Sequence, residues 1–298
     1  MDLIKESLHA VGDLFLPREC LVCGRKLGLR ERHLCLACAA DVPYTFHWLQ
    51  VHNPLADRFN DVLERHRGIE PMDYAYAAAL FFYKGGYRSI PKALKYRGDL
   101  AAGRHFGDLL GRRLAAAPHF ADVDLVIPVP LHWTRRRSRG YNQAAILAQA
   151  VADALNAARP LAPISSPVIP GSDPVIPGLT GNPPAVCRTD LLVRARRTRT
   201  QTRLSVDQKA RNVASAFRVP DGKRWPIGAG HDGKRHAWLS SFRPCQVLAS
   251  ARHILLIDDT FTTGATLYAC YAALRPYTSA RISVATLAAV ESNPSSGP

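Results

Sequence analysis

The sequence predicts an α/β fold: a mainly parallel sheet flanked by helices, behind a small N-terminal module built on four cysteines. Three observations lead there. DLVIPVP (124–130) and HILLIDD (253–259) are short apolar runs, as strands buried on both faces require. Helical stretches alternate with such runs, the pattern of a parallel sheet with crossover helices. Ahead of them, residues 20–38 read CLVCGRKLGLRERHLCLAC, a Cys-x2-Cys pair repeated after eleven residues.

The elements follow in order. In DLIKESLHAVGDLFLP (2–17), Leu3, Ile4, Leu8, Val11, Leu14 and Phe15 keep helical spacing, and Pro17 ends the run. This is an amphipathic helix that packs on its neighbour; membrane binding is the weaker alternative, because the polar side is not strongly basic. HWLQVHNPLADRF (47–59) reads as a linker and AYAAALFFY (75–83) as a strand. SIPKALKY and LAAGRHFGDLLGRRLAAA (100–117) read as helices, followed by the 124–130 strand and a strong helix over 142–158. DLLVRAR (190–196) is a candidate strand. SVDQKARNVASAF (205–217) is a helix with a capping box at Ser205 and Gln208. A helix from Gly264 to Leu274 follows the 253–259 strand, and RISVATLAAV (281–290) closes as a strand.

Two stretches break this rhythm. Residues 161–187 are proline-dense and hold the tandem PVIPGSD/PVIPGLT; residues 221–250 show neither periodicity. Both read as insertions. The expected division is residues 1–50 for the helix and cysteine module and 70–292 for the α/β domain.

The four cysteines, Cys20, Cys23, Cys35 and Cys38, have the spacing of a tetrahedral thiolate site. Zinc suits them, in a structural role, since four protein ligands leave no open position. A redox disulfide pair is the alternative. His33 lies in the same loop and reads as solvated; a ligand role is the lesser reading. No apolar run approaches a membrane span, and no export signal is evident, which points to a reducing cytoplasm.

The chain has 298 residues and a formal net charge of +15. Its apolar content of 47% argues against disorder as a whole. The sequence pI of about 9.9 suggests an anionic partner: nucleic acid, a phosphorylated small molecule or an anionic membrane.

Residues 254–266, ILLIDDTFTTGAT, carry the most specific signal. A buried strand runs into Asp258 and Asp259, and a helix starts after Gly264. Open α/β sheets bind ligands at such a strand end. Backbone N–H groups over Thr262, Thr263, Gly264, Ala265 and Thr266, with the helix dipole, would cradle a phosphate. The aspartates would repel a phosphate placed on them, but carboxylates accept hydrogen bonds from vicinal hydroxyls. A ribose 5-phosphate satisfies both halves.

This stretch resembles the ribose-phosphate signature of type I phosphoribosyltransferases. PVPLHWTRRRSRGYNQ (128–143), ALKYRGD (93–99), TRTQTRL (198–204), RNVASAF (211–217) and the four-cysteine N-terminus together resemble the ComF family of competence proteins. The resemblance implies a type I phosphoribosyltransferase-like domain behind a zinc finger. It implies a role in natural transformation, handling incoming single-stranded DNA on the cytoplasmic side, with a competence helicase as partner. It assigns ribose contacts to Asp258 and Asp259 and the phosphate loop to Thr262–Thr266. It also implies phosphoribosyl pyrophosphate (PRPP) or another ribose 5-phosphate as ligand, with magnesium beside the diphosphate. Ser215 departs from the family's usual glycine.

Arg135, Arg136, Arg137 and Arg139 follow a strand end and read as contacts for pyrophosphate or a nucleic-acid backbone, or as a solvated loop. Arg196, Arg197, Arg199 and Arg203 form a second basic run. Tyr141 and the KYR of 95–97 add aromatic planes among the charges, as single-strand binders do. Two functions compete, binding of single-stranded DNA beside a sugar-phosphate pocket and phosphoribosyl transfer to an unidentified acceptor; a third reading is an assembly adaptor held by its zinc module.

Overall fold

The computed structural model describes residues 18–65, 74–159, 183–195, 216–220 and 243–291. The expected helix over 2–17, most of the 205–217 helix, the second arginine run and the PVIPG tandem lie outside them.

Five strands form one all-parallel sheet: β1 (Ala77–Phe82), β2 (Leu125–Pro128), β3 (Val186–Cys187), β6 (His253–Phe261) and β7 (Arg281–Ala289), in the spatial order β1-β7-β6-β2-β3. β4 (Val193–Arg194) and β5 (Phe217–Arg218) make a separate antiparallel pair. The central strands are buried on both faces, which explains their unbroken apolar runs.

The helices in chain order are α1 (Leu36–Ala40), α2 (Pro54–Arg65), α3 (Ser89–Lys92), α4 (Leu100–Ala115), α5 (Trp133–Arg139), α6 (Gln143–Ala157), α7 (Pro244–Ser250) and α8 (Ala265–Leu274). α3 runs into a π-turn over Ala93–Arg97. α2, α7 and α8 cover one face of the sheet, with Phe59, Leu248 and Tyr271 in its core. α4 and α6 cover the other face, with Phe106, Leu110, Leu147 and Val151. These two helices approach closely: a Cβ on Gly111 would lie 2.6 Å from the Ala154 Cβ. No helix among the described residues is long and apolar enough to cross a membrane.

Three expectations need correction. The 47–59 stretch is not a linker, because Asn53 and Pro54 open α2. The Asn53 Oδ1 accepts from Leu55 N at 3.1 Å and Ala56 N at 3.0 Å, with proline at the first helical position. Leu55, Phe59, Val62 and Leu63 then supply a buried helical face. Asn53 Nδ2 also donates to Ala77 O, and Asn60 pairs with the Ala75 backbone, which fastens α2 to β1.

The bounds of the two broken stretches also shift. Val186–Cys187 pairs with Leu125–Val126 as the sheet's edge strand, and Pro244–Ser250 is a helix with Leu248 buried. The rest of each stretch is outside the described residues, apart from 183–185 and 243. Strand pairing is a long-range event, so two residues of edge strand leave almost no local signature. Phe217 likewise stands in β5 rather than ending a helix.

The cysteine module does not stand apart from the domain. Cys20, Leu34, Cys35 and Trp48 lie in the same hydrophobic cluster as Phe81 and Phe106. Tyr87 Oη donates to Cys38 O at 2.8 Å, and Ser89 Oγ donates to Leu21 O. Residues 43–45 lie antiparallel along β1, with Phe82 N donating to Pro43 O at 2.9 Å, and so protect that edge.

Candidate functional site

The four cysteine sulfurs all lie within 4.8 Å of one another, and Cys23 Sγ and Cys35 Sγ are 3.8 Å apart. A tetrahedron with metal–sulfur bonds of about 2.3 Å has edges of about 3.8 Å, so the cluster could hold a metal ion such as zinc. Burial works against a charged Cys20 sulfur. Hydrogen bonds from the Cys23, Cys35 and Val22 backbone overcome it and bring the thiol down to about 6. Glu31 locks the intervening loop by accepting from Gly28 N at 2.6 Å and Leu36 N at 2.7 Å. His33 is half-buried and outside the sulfur cluster, its ring 5.1 Å from that of the exposed His105 on α4.

The second site lies where β2 and β6 meet. The chain leaves β2 through α5 and α6 toward the edge strand β3; it leaves β6 through α8 toward β7 on the other side. These departures in opposite directions open a crevice at the carboxyl ends of the two strands, the usual ligand position in open α/β sheets. β2 ends at Pro128, paired with Ile257, whereas β6 continues to Phe261 along β7. Residues 258–261 therefore overhang the crevice. The aspartates lie within the strand rather than after it, because β7 keeps pairing with this stretch.

Successive strand residues face opposite ways, and this separates the two carboxylates. Asp259 points to the α6 face and is 3% exposed. Its Oδ1 lies 2.8 Å from Lys95 Nζ, and its Oδ2 accepts from Gln143 Nε2 at 2.9 Å. Gln143 Oε1 in turn accepts from Arg139 Nη1 at 3.1 Å. Burial opposes the Lys95 charge, but Asp259 outweighs it and holds the ammonium above its ordinary pKa. Asp258 feels Arg194 on β4 and Cys270 on α8, on the opposite face, and keeps partial access to solvent. Burial and the adjacent Asp259 charge push its carboxyl up to about 7, against a pull downward from Lys95 and Arg194.

The loop after β6 turns into α8 at Gly264. Gly264 sits at φ +77° as the N-cap of α8, a conformation other residues adopt with strain, and a Cβ there would meet the Phe261 ring at 3.0 Å. Thr262 is exposed, Thr263 and Thr266 are half-buried, and Gly264 and Ala265 are buried. The first N–H groups of α8 have no intrahelical partner, so they are available at this end. Arg58, in the stretch read as a linker, pins the loop. Its Nη2 donates to Thr262 O at 2.7 Å, its Nη1 donates to Val290 O at 2.9 Å, and its guanidinium lies 5.4 Å over Phe261.

Beside Asp259 runs a groove of about 650 Å³ lined by Lys95, Tyr96, Arg97, Arg135, Arg139 and Tyr141. It carries four cations. Arg135 and Arg139 thus sit on a short helix, not in a loop, and α5 starts at a His132 cap and stops at Gly140 (φ +79°). Arg136 and Arg137 are exposed and do not line the groove. Tyr96 is exposed with Arg139 5.4 Å over its ring, while the Tyr141 hydroxyl is committed to Leu94 O.

Sequence reasoning missed Lys95 as a partner of Asp259, and it missed Gln143 and Arg58. Lys95 and Gln143 do stand in the ALKYRGD and PVPLHWTRRRSRGYNQ stretches, and Arg58 has a signal in the helical spacing after Asn53-Pro54. Compared with known proteins, the chain matches no protein-family model and no curated protein.

Proposed function

We propose that the protein binds a ribose 5-phosphate ligand of the PRPP type at the β6–α8 loop and holds single-stranded DNA along the adjoining basic surface. The observation that carries this reading is the crevice itself. Asp258 and Asp259 overhang it, Thr262–Thr266 lead into α8, and a groove with four cations opens beside it. Donors at the helix end suit the 5-phosphate, and carboxylates suit ribose hydroxyls. Tyr96 and the arginines suit a stacked base and a phosphodiester backbone. The domain is then phosphoribosyltransferase-like, with a structural zinc on Cys20, Cys23, Cys35 and Cys38. Magnesium would accompany a bound diphosphate, held by phosphate oxygens and water more than by protein. The setting is the ComF-like role in natural competence: incoming DNA handled in the cytoplasm, next to a helicase.

The alternative is catalysis, with transfer of phosphoribosyl from PRPP to an acceptor. Asp258 favours it, since a carboxyl that titrates near neutrality is suited to proton transfer.

Titration of the purified protein with PRPP and with a short oligothymidylate, each with magnesium, tests the reading. Asp258→Asn with Asp259→Asn should weaken PRPP by about 1.5–3 kcal/mol, the scale of charge-assisted hydrogen bonds. Oligothymidylate binding should not weaken. Equal loss of both ligands would put DNA in the pocket instead. PRPP turnover with an added base would favour the enzyme.

A further inference from the structure

Asp259 cannot meet a ligand hydroxyl as it stands. Its side chain is 4% exposed, and both oxygens are covered, one by Lys95 and one by Gln143. A diol reaches it only if a partner leaves. Gln143 is buried, and its amide bridges Asp259 and Arg139. The Lys95 side chain is 26% exposed and also lines the groove. Lys95 is therefore the partner that can move, and the groove is where its ammonium can go. In the groove a displaced ammonium joins Arg97, Arg135 and Arg139, with no carboxylate among the lining residues, so like-charge repulsion makes it need an anion.

We propose that Lys95 is a latch that makes the site selective for a vicinal diol bound together with a phosphate anion in the groove, separate from the 5-phosphate at the α8 end. The diol takes the place of Lys95 on Asp259; the anion in the groove receives the released ammonium. A diol alone must strand Lys95, and an anion alone must pull Lys95 from Asp259, so each binds weakly without the other. The two halves are linked, and each raises the affinity of the other by the same factor. This rests on the reading that Asp258 and Asp259 receive ribose hydroxyls. The paired phosphates could come from a diphosphate or a nucleic-acid backbone, which present the same chemistry to the groove.

Calorimetric titration of the full chain at pH 8 with ribose 5-phosphate, inorganic pyrophosphate and a short oligothymidylate tests it. In the wild type, saturating ribose 5-phosphate should tighten pyrophosphate by about fivefold or more, within the usual range of coupling between sites. Lys95→Met should bind ribose 5-phosphate more tightly on its own, bind pyrophosphate less tightly and abolish the coupling. Lys95→Arg should keep part of the coupling, and thermal melting should show both variants folded. If only oligothymidylate is coupled, the groove serves the nucleic-acid backbone; if only pyrophosphate is, it serves a diphosphate. Coupling that survives Lys95→Met, or none in the wild type despite ribose 5-phosphate binding, overturns the latch alone. Ribose 5-phosphate binding that Asp258→Asn and Asp259→Asn both leave unchanged overturns the underlying reading and the latch with it.

Discussion

Asp258 and Asp259 are adjacent in sequence yet face opposite sides of the sheet: Asp259 toward Lys95 and Gln143, Asp258 toward Arg194 and Cys270. Their environments differ accordingly. Asp259 is compensated by a cation and an amide. Asp258 is half-buried beside the Asp259 charge, and desolvation and that charge together raise its carboxyl to about 7.

That inequality gives stability a pH dependence. A raised folded-state pKa favours folding below the unfolded value and loses that contribution as pH rises to the folded one. Between about pH 4 and 7 the wild type should therefore lose stability relative to Asp258→Asn. The variant should gain roughly 2–4 kcal/mol over that window, since a tenfold change in proton affinity is worth about 1.4 kcal/mol. Urea unfolding at stepped pH values measures it. A difference that does not change with pH would show that Asp258 ionises normally.

Arg58 should matter to ligand binding although it touches the loop only through a carbonyl and the Phe261 ring. Arg58→Met removes the donor to Thr262 O and leaves the Phe261 contact mostly apolar. Affinity for ribose 5-phosphate should fall about tenfold, the scale of one hydrogen bond from a charged group. A dissociation constant equal to that of the wild type would show that the loop holds its shape without this tie.

The cysteine cluster should carry about one zinc per chain, measured by elemental analysis. Cys23→Ser should lose it. The melting temperature should drop in the same variant, because Cys20 and Cys35 share a core with Phe81 and Phe106. Metal retained in the variant, or none in the wild type, would count against a four-thiolate site.

The groove predicts a salt signature. Arg135→Glu with Arg139→Glu should weaken oligothymidylate binding and flatten its dependence on salt by about 0.7 log unit per lost phosphate contact. Tyr96→Ala should cost about 1–3 kcal/mol with the salt slope unchanged, as loss of a stacking platform does. Fluorescence anisotropy across a salt series separates the two. Wild-type binding that ignores salt would remove the groove from the nucleic-acid interface.

Features written in local pattern were legible in the residues alone. Buried parallel strands appear as apolar runs at 124–130 and 253–259. The cysteine spacing appears as a cluster with sulfurs within 4.8 Å, and the glycine of the TTGAT turn sits at φ +77°. Helix starts at Asn142 and Asp99 follow side-chain caps that short-range chemistry dictates. Which side chains meet was settled only by the folded chain. Lys95 and Gln143 reach Asp259 from distant parts of the sequence, the latter across 116 residues. Arg58 reaches Thr262 across 204. Such pairings depend on strand order and register, and neither leaves a periodic trace in the residues concerned. The same holds for the edge strand Val186–Cys187, which exists because Leu125 and Val126 lie beside it.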